Sequence, residues 1–131
     1  MSNPLAKMVS QKWHPPAPTT ESFAGKTILA TGATAGLGLE AAKKLAGLRV
    51  SKLIITARSH SKGQRAQQEI ETFSRAGSTP PAETHAPTTE VIPLILDMST
   101  FAGVQKFAQT LKETVSRLDG AILNAGTLQS Q

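Results

Sequence analysis

The chain has no cysteine and no tyrosine, and its aromatic side chains are one tryptophan and four phenylalanines in 131 residues. Without thiols it can form no disulfide and run no thiol chemistry, which fits a reducing compartment and makes a cytoplasmic location the expectation. With so few aromatics, the core has to be built from aliphatic side chains. Histidine is scarce too: His14, His60 and His85 lie far apart in polar segments, so no metal site is expected. The longest apolar runs, Leu53 to Ala57 and Val91 to Leu96, are strand-length and far too short to cross a bilayer. The first 20 residues hold no continuous apolar stretch of the kind a secretory signal needs. With Pro15, Pro16 and Pro18 among them, residues 1–22 are expected to form a disordered tail, leaving residues 23–131 for one small domain.

Acid is also missing from one long stretch. The net charge is +5, and between Ala41 and Gln68 stand Lys43, Lys44, Arg49, Lys52, Arg58, Lys62 and Arg65 with no carboxylate among them. Nucleic acid is a weak candidate partner, because no aromatic residue interleaves these charges to stack on bases. A small polyphosphate ligand is the better one, given what precedes the stretch.

That neighbour is Thr31-Gly32-Ala33-Thr34-Ala35-Gly36-Leu37-Gly38. It follows a short apolar strand, Lys26 to Ala30, and runs straight into Leu39 to Ala46, a strong helix former. A glycine-rich turn between strand and helix cradles phosphate. Backbone N–H groups converge, the helix dipole favours negative charge, and small residues let the anion approach.

Further along, Lys52 to Ala57 reads as a strand buried on both faces, and Ser61 to Ala76 as a helix with Ile70 and Phe73 facing inward, ended by Gly77. The polar, three-proline segment Ser78 to Glu90 reads as a surface loop. Val91 to Leu96 is a third strand whose Pro93 belongs at an edge. Ser99 is placed to cap a helix carrying an apolar stripe of Val104, Phe107, Leu111, Val115 and Leu118. Gly120 to Asn124 is a fourth strand. Strands alternating with helices predict an α/β fold with a parallel, doubly wound sheet.

The eight-residue turn resembles the TGxxxGxG cofactor motif of short-chain dehydrogenases/reductases. Leu96-Asp97-Met98-Ser99 is similar to that family's D-x-S element after the third strand, and Leu123-Asn124-Ala125-Gly126 to its N-A-G motif after the fourth. One glycine motif alone is weak, but three in order, each just past a predicted strand, cover nearly everything from Phe23 to Gly126. The stretch looks most like fungal members of specialised metabolism. The resemblance implies a Rossmann-type sheet, about four strands in order 3-2-1-4 and so incomplete, with a nicotinamide dinucleotide as cofactor. Gly32, Gly36 and Gly38 would shape the turn. Thr31 and Thr34 would brace it or bond phosphate, with Ala35 beside them and Leu37 offering its N–H. Asp97 would accept from the adenine amino group with the Met98 backbone alongside. Asn124 would border the ribose, while Ala125 and Gly126 leave space.

Choice between NAD and NADP is a local question. A site for NAD places a carboxylate about 20 residues past the glycines to bind the ribose 2′-hydroxyl. Here Thr56-Ala57-Arg58-Ser59 holds no acid, and the Arg58 guanidinium matches a 2′-phosphate in charge and geometry, with Lys62 one helical turn on.

In the family resembled, hydride transfer between nicotinamide and a carbonyl or alcohol relies on a downstream Ser and a Tyr-x-x-x-Lys pair. These 131 residues include no tyrosine, and a full dinucleotide fold has six strands. The expectation is therefore a truncated, NADP-binding part of a reductase that carries no catalytic residue and is inactive alone. The alternative is a non-catalytic nucleotide-binding or regulatory module, which would cap its last strand with a polar element. Thr127 to Gln131 is no such cap. No membrane or nucleic-acid partner is expected.

Overall fold

A computed structural model describes residues 17, 19–76 and 88–126. Most of the expected tail, the Gly77 cap, most of the proline-rich loop and Thr127 to Gln131 lie outside the described residues.

Within them the chain alternates β1 (Thr27–Thr31), α1 (Gly36–Gly47), β2 (Lys52–Ala57), α2 (His60–Ala76), β3 (Glu90–Ile95), α3 (Phe101–Thr114) and β4 (Gly120–Leu123). All pairings are parallel and the strand order is β3-β2-β1-β4, the predicted 3-2-1-4. Ile28 lies opposite Leu53 and Ala30 opposite Ile55, while on the other side Leu29 lies opposite Ala121 and Thr31 opposite Leu123.

Side chains alternate faces along a strand, so these central strands feed two cores. Ile28, Ala30, Leu53 and Ile55 join Leu39, Leu45 and Ile70 beneath α1 and α2. Leu29 and Ile54 point the opposite way and meet Leu96 and Phe107 of the α3 side. That is why β2 is apolar without interruption: five of its six residues are buried.

Pro93 does sit on an edge strand, where its missing N–H removes no ladder bond on the outer side. Three expectations need correction. Phe73 is not an inward anchor. It is 46% exposed, because the helix face bearing Ile70, Ala66 and Gly63 takes the core side. The helix cap is Thr100 rather than Ser99: Thr100 Oγ1 accepts from the Gly103 N–H at 3.0 Å, while Ser99 turns back to Asp97. Finally, α3 ends at Thr114 with Val115 extended, so Leu118 falls outside it, and Val104 is exposed. Phe107, Leu111 and Val115 make the actual contact.

Polar contacts pin the layers. Lys43 reaches Glu40 at 2.9 Å and Glu69 at 2.7 Å, joining α1 to α2, and both bonds, Glu69 first, hold its ammonium pKa above the usual lysine value. The acid-free stretch is thus partly answered by carboxylates from outside it, and Glu90 does the same for Lys52 at 3.6 Å. Asp119 clamps β4 to β1, with Oδ2 accepting the Thr27 N–H at 2.8 Å and its own N–H bonding the Thr27 carbonyl at 2.8 Å. Arg117 and Lys26 add positive charge beside it.

Candidate functional site

Parallel strands all end on one side of the sheet, and ligands of such sheets lie outside those ends, where the strand order reverses. Here the reversal falls between β1 and β4. The four strand ends deliver Thr31 with its glycine turn, Arg58, Asp97 and Asn124 to that one rim.

The turn after β1 is left-handed twice, at Gly32 (φ 66°) and Gly36 (φ 57°), conformations that side chains rarely adopt. The reasons for glycine differ along the motif. A Cβ on Gly32 would stand 3.0 Å from the backbone of Ala125 and 3.1 Å from Asn124 Nδ2. A Cβ on Gly38 would collide with the Gly32 carbonyl oxygen and come within 2.6 Å of Asn124 Nδ2. A Cβ on Gly36 would meet nothing within 4 Å, so that glycine borders open space.

Helix α1 starts at Gly36 behind Ala35, an extended N-cap with no side-chain hydrogen bond, and its first turn carries no acid. The first N–H groups of a helix have no partner within it. Their partial positive charge therefore faces the same open side, unclaimed by any cap, in contrast to α3 with Thr100. An anion fits there. Ala33 is fully buried and anchors the loop in the core, Thr34 is half-buried, and Ala35 and Leu37 are exposed, Leu37 by 85%.

Thr31 is a brace. Its Oγ1 accepts the N–H groups of Asn124 and Ala125, both at 3.1 Å, and donates to the Ile122 carbonyl at 3.5 Å. Asn124 answers by donating from Nδ2 to the Gly32 carbonyl at 3.5 Å. On the other flank the buried Thr56 Oγ1 accepts the Gly32 N–H at 3.4 Å. The first glycine is thus held from both neighbouring strands.

At the end of β3, Asp97 Oδ1 accepts from the Ser99 hydroxyl at 2.6 Å and the Ser99 N–H at 2.9 Å. Those two bonds, the hydroxyl first, and then the charge of Arg58 hold the Asp97 carboxyl below the usual aspartate range. Arg58 and Asp97 therefore feel each other across the rim. Among the described residues neither Arg58 nor Lys62 has a carboxylate within ion-pair distance. Met98 is 57% exposed, Ala125 stands beside Gly32 at the mouth of the turn, and a Cβ on Gly126 would meet nothing within 4 Å.

Thr56, Thr100 and Gly103 were not legible as part of this arrangement. Gly103 admits the backbone of Asp97: a Cβ there would overlap the Asp97 carbonyl oxygen and lie 2.9 Å from Thr100 Oγ1. A glycine three residues after a Thr at a helix start was the one available signal. Among the described residues no three His, Cys, Asp or Glu side chains stand close enough to hold a metal, and no helix is long and apolar enough to cross a membrane.

Comparison with known proteins agrees with this geometry. The KR domain family model matches residues 26–131. The short-chain dehydrogenase/reductase ffsI of Aspergillus flavipes is 40% identical over 129 residues, covering 95% of this chain and 35% of that protein. The short-chain dehydrogenase/reductase phmF of Phaeosphaeria nodorum is 41% identical over 116 residues, covering 88% and 31%. The chain thus spans about a third of the length of these curated relatives. Among solved structures, the Pseudomonas aeruginosa RhlG/NADP active-site complex superposes with a TM-score of 0.65 at 26% identity, covering 81% of this chain and 36% of that one. A chain of Escherichia coli CFT073 in complex with NADPH gives 0.63 at 27%, covering 85% and 41%. With the family model matched from the first strand onward and the sheet order and motif geometry in place, the chain belongs to the short-chain dehydrogenase/reductase family.

Proposed function

We propose that residues 23–131 form the ADP-ribose-binding part of an NADP(H)-dependent short-chain reductase, a cytoplasmic enzyme acting on a carbonyl or alcohol substrate. One observation carries the cofactor choice. At the end of β2, where a site for NAD would place an acid, stands Ala57 followed by Arg58, and no carboxylate of the described residues lies within ion-pair distance of that guanidinium. The two similar structures solved with NADP or NADPH support the same choice.

Each residue then has a task. The N–H groups at the start of α1, Leu37 among them, bind the pyrophosphate, with Gly36 leaving room for it. Thr31, Asn124 and Thr56 hold the turn in its binding shape, with Asn124 bordering the ribose. Asp97 stays ionised as an acceptor for the adenine amino group because Ser99 and Arg58 stabilise its charge. Arg58, with Lys62 behind it, holds the 2′-phosphate. Ala125 and Gly126 keep the ribose side open. A bound nicotinamide supplies hydride chemistry. Proton transfer to the substrate oxygen needs a group these 131 residues lack, since they include no tyrosine, Asn124 does not titrate and Asp97 lies at the adenosine end. The polypeptide of these residues alone binds cofactor and turns nothing over.

The test is Arg58→Glu. Titration of NADP+ and NAD+ should show the wild-type preference for NADP+ lost or reversed, a change of about 1–3 kcal/mol for a charged hydrogen bond removed and a repulsion added. An unchanged preference would overturn the assignment.

A further inference from the structure

Helix α2 contains a glycine in its first turn and a half, at Gly63, where alanine would be the better helix former. Gly63 is buried, and the space around it is accounted for. A Cβ there would stand 3.0 Å from Pro93 Cβ and 3.4 Å from Ala57 Cβ. Ala57 is the last residue of β2, and Pro93 lies on the edge strand β3. The start of α2 therefore rests directly on the ends of two strands, and a side chain at residue 63 would push them apart by a few tenths of an ångström.

The same few residues govern Arg58. The Gly63 N–H donates to the Ser59 carbonyl at 3.1 Å, closing the first turn onto the residue just after Arg58. On the other side, the Leu96 N–H donates to the Ala57 carbonyl at 2.9 Å, which ties the residue before Arg58 to the strand end that carries Asp97. Arg58 is thus held between two fixed points. If α2 rises at residue 63, Ser59 rises with it and Arg58 leaves the level of Asp97.

We propose that Gly63 is a positioning residue for cofactor selection: its missing side chain seats α2 on Pro93 and Ala57 and so holds Arg58 where it meets a 2′-phosphate. This rests on the reading of Arg58 given above. It also explains together a proline in a strand and a glycine in a helix, each unfavourable by itself. A bidentate guanidinium–phosphate contact is demanding in geometry, so a shift of α2 by a few tenths of an ångström affects it before it affects the pyrophosphate turn, whose anchors Thr31, Asn124 and Thr56 all lie outside α2.

The experiment titrates NADP+ and NAD+ calorimetrically into the complete polypeptide that carries these residues. The forms compared are wild type, Gly63→Ala, Gly63→Val, Arg58→Gln, and Arg58→Gln combined with Gly63→Ala. The preference for NADP+ should fall about three-fold in Gly63→Ala and about ten-fold in Gly63→Val, with NAD+ affinity retained. Adding Gly63→Ala to Arg58→Gln should change the preference no further. Should Gly63→Val fail to give a cooperative thermal melt, Gly63→Ala carries the same comparison. Equal weakening of both cofactors, an unchanged preference, or a further loss on top of Arg58→Gln overturns the proposal. If Arg58→Gln alone leaves the preference intact, the reading of Arg58 fails and the proposal with it. If Arg58→Gln abolishes the preference and the Gly63 variants do not alter it, only the proposal fails.

Discussion

Thr31 serves two strands through one oxygen. It belongs to β1, yet its hydroxyl satisfies the N–H groups of Asn124 and Ala125 just past β4. Thr31→Val keeps the shape and removes the acceptor, leaving two partly buried donors without it. The expected loss is about 1–3 kcal/mol of stability, read as a lower urea midpoint, with Thr31→Ser closer to wild type. A Thr31→Val midpoint equal to wild type would show that the bonds are dispensable. The sequence marked Thr31 as a brace or a phosphate ligand and could not decide between them, because the deciding partners lie 91 to 94 residues away. Thr56 escaped notice for a related reason. A threonine in a β-branched strand is unremarkable until the Gly32 N–H is found against its hydroxyl. Glycines were legible by motif, but their separate reasons were not: close packing at Gly32 and Gly38, open space at Gly36.

Between elements, the pairing of β4 with β1 is the junction on which the site depends, and Asp119 secures it. The Thr27 N–H bonded to its carboxylate, followed by Arg117 and Lys26, holds its pKa below the usual aspartate value. A carboxyl whose folded pKa lies below its unfolded one adds stability above the unfolded pKa, about 3.9, and loses it as pH falls through the folded value. Asp119→Asn should therefore be less stable than wild type at neutral pH and flatter in acid, with the two converging as pH drops below about 4. Asp97, depressed as well, keeps part of the acid dependence in both. Urea midpoints from pH 2.5 to 7, spanning the carboxylate range, check this, and parallel curves for the two proteins would contradict it.

Strand and helix identities were readable because buried parallel strands and amphipathic helices leave different periods. Boundaries were less so. α1 begins at Gly36 rather than Leu39, since its hydrogen bonds already start inside the glycine turn, with the Leu39 N–H donating to the Ala35 carbonyl at 3.3 Å. The cap of α3 moved by one residue because Asp97 competes for Ser99.

For the whole molecule, the described part of the sheet is closed on neither side. β3 is one edge, blunted by Pro93, and β4 is the other, pairing only with β1 among the described residues. β4 is also bare: Leu123 is 79% exposed and Ile122 36%. An unpaired strand edge beside apolar side chains invites pairing with another chain. The 131-residue polypeptide by itself should therefore bind ANS and associate in sedimentation experiments, and a compact monomer with little ANS binding would contradict this. Strand order was legible because the three motifs arrive in family order. The exposure of β4 was legible only from the same resemblance, since Ala121 to Leu123 reads as an ordinary buried strand.

The central claim is that the rim of this sheet binds a 2′-phosphorylated adenosine through Arg58 and the turn at Gly32 to Gly38. Calorimetry on the wild-type protein with 2′,5′-ADP and 5′-AMP tests it directly, because the two ligands share adenine, ribose and 5′-phosphate and differ only at the 2′-position. Tighter binding of 2′,5′-ADP by about ten-fold or more is predicted for one charged contact. Equal affinities, or no binding of either, would contradict the account.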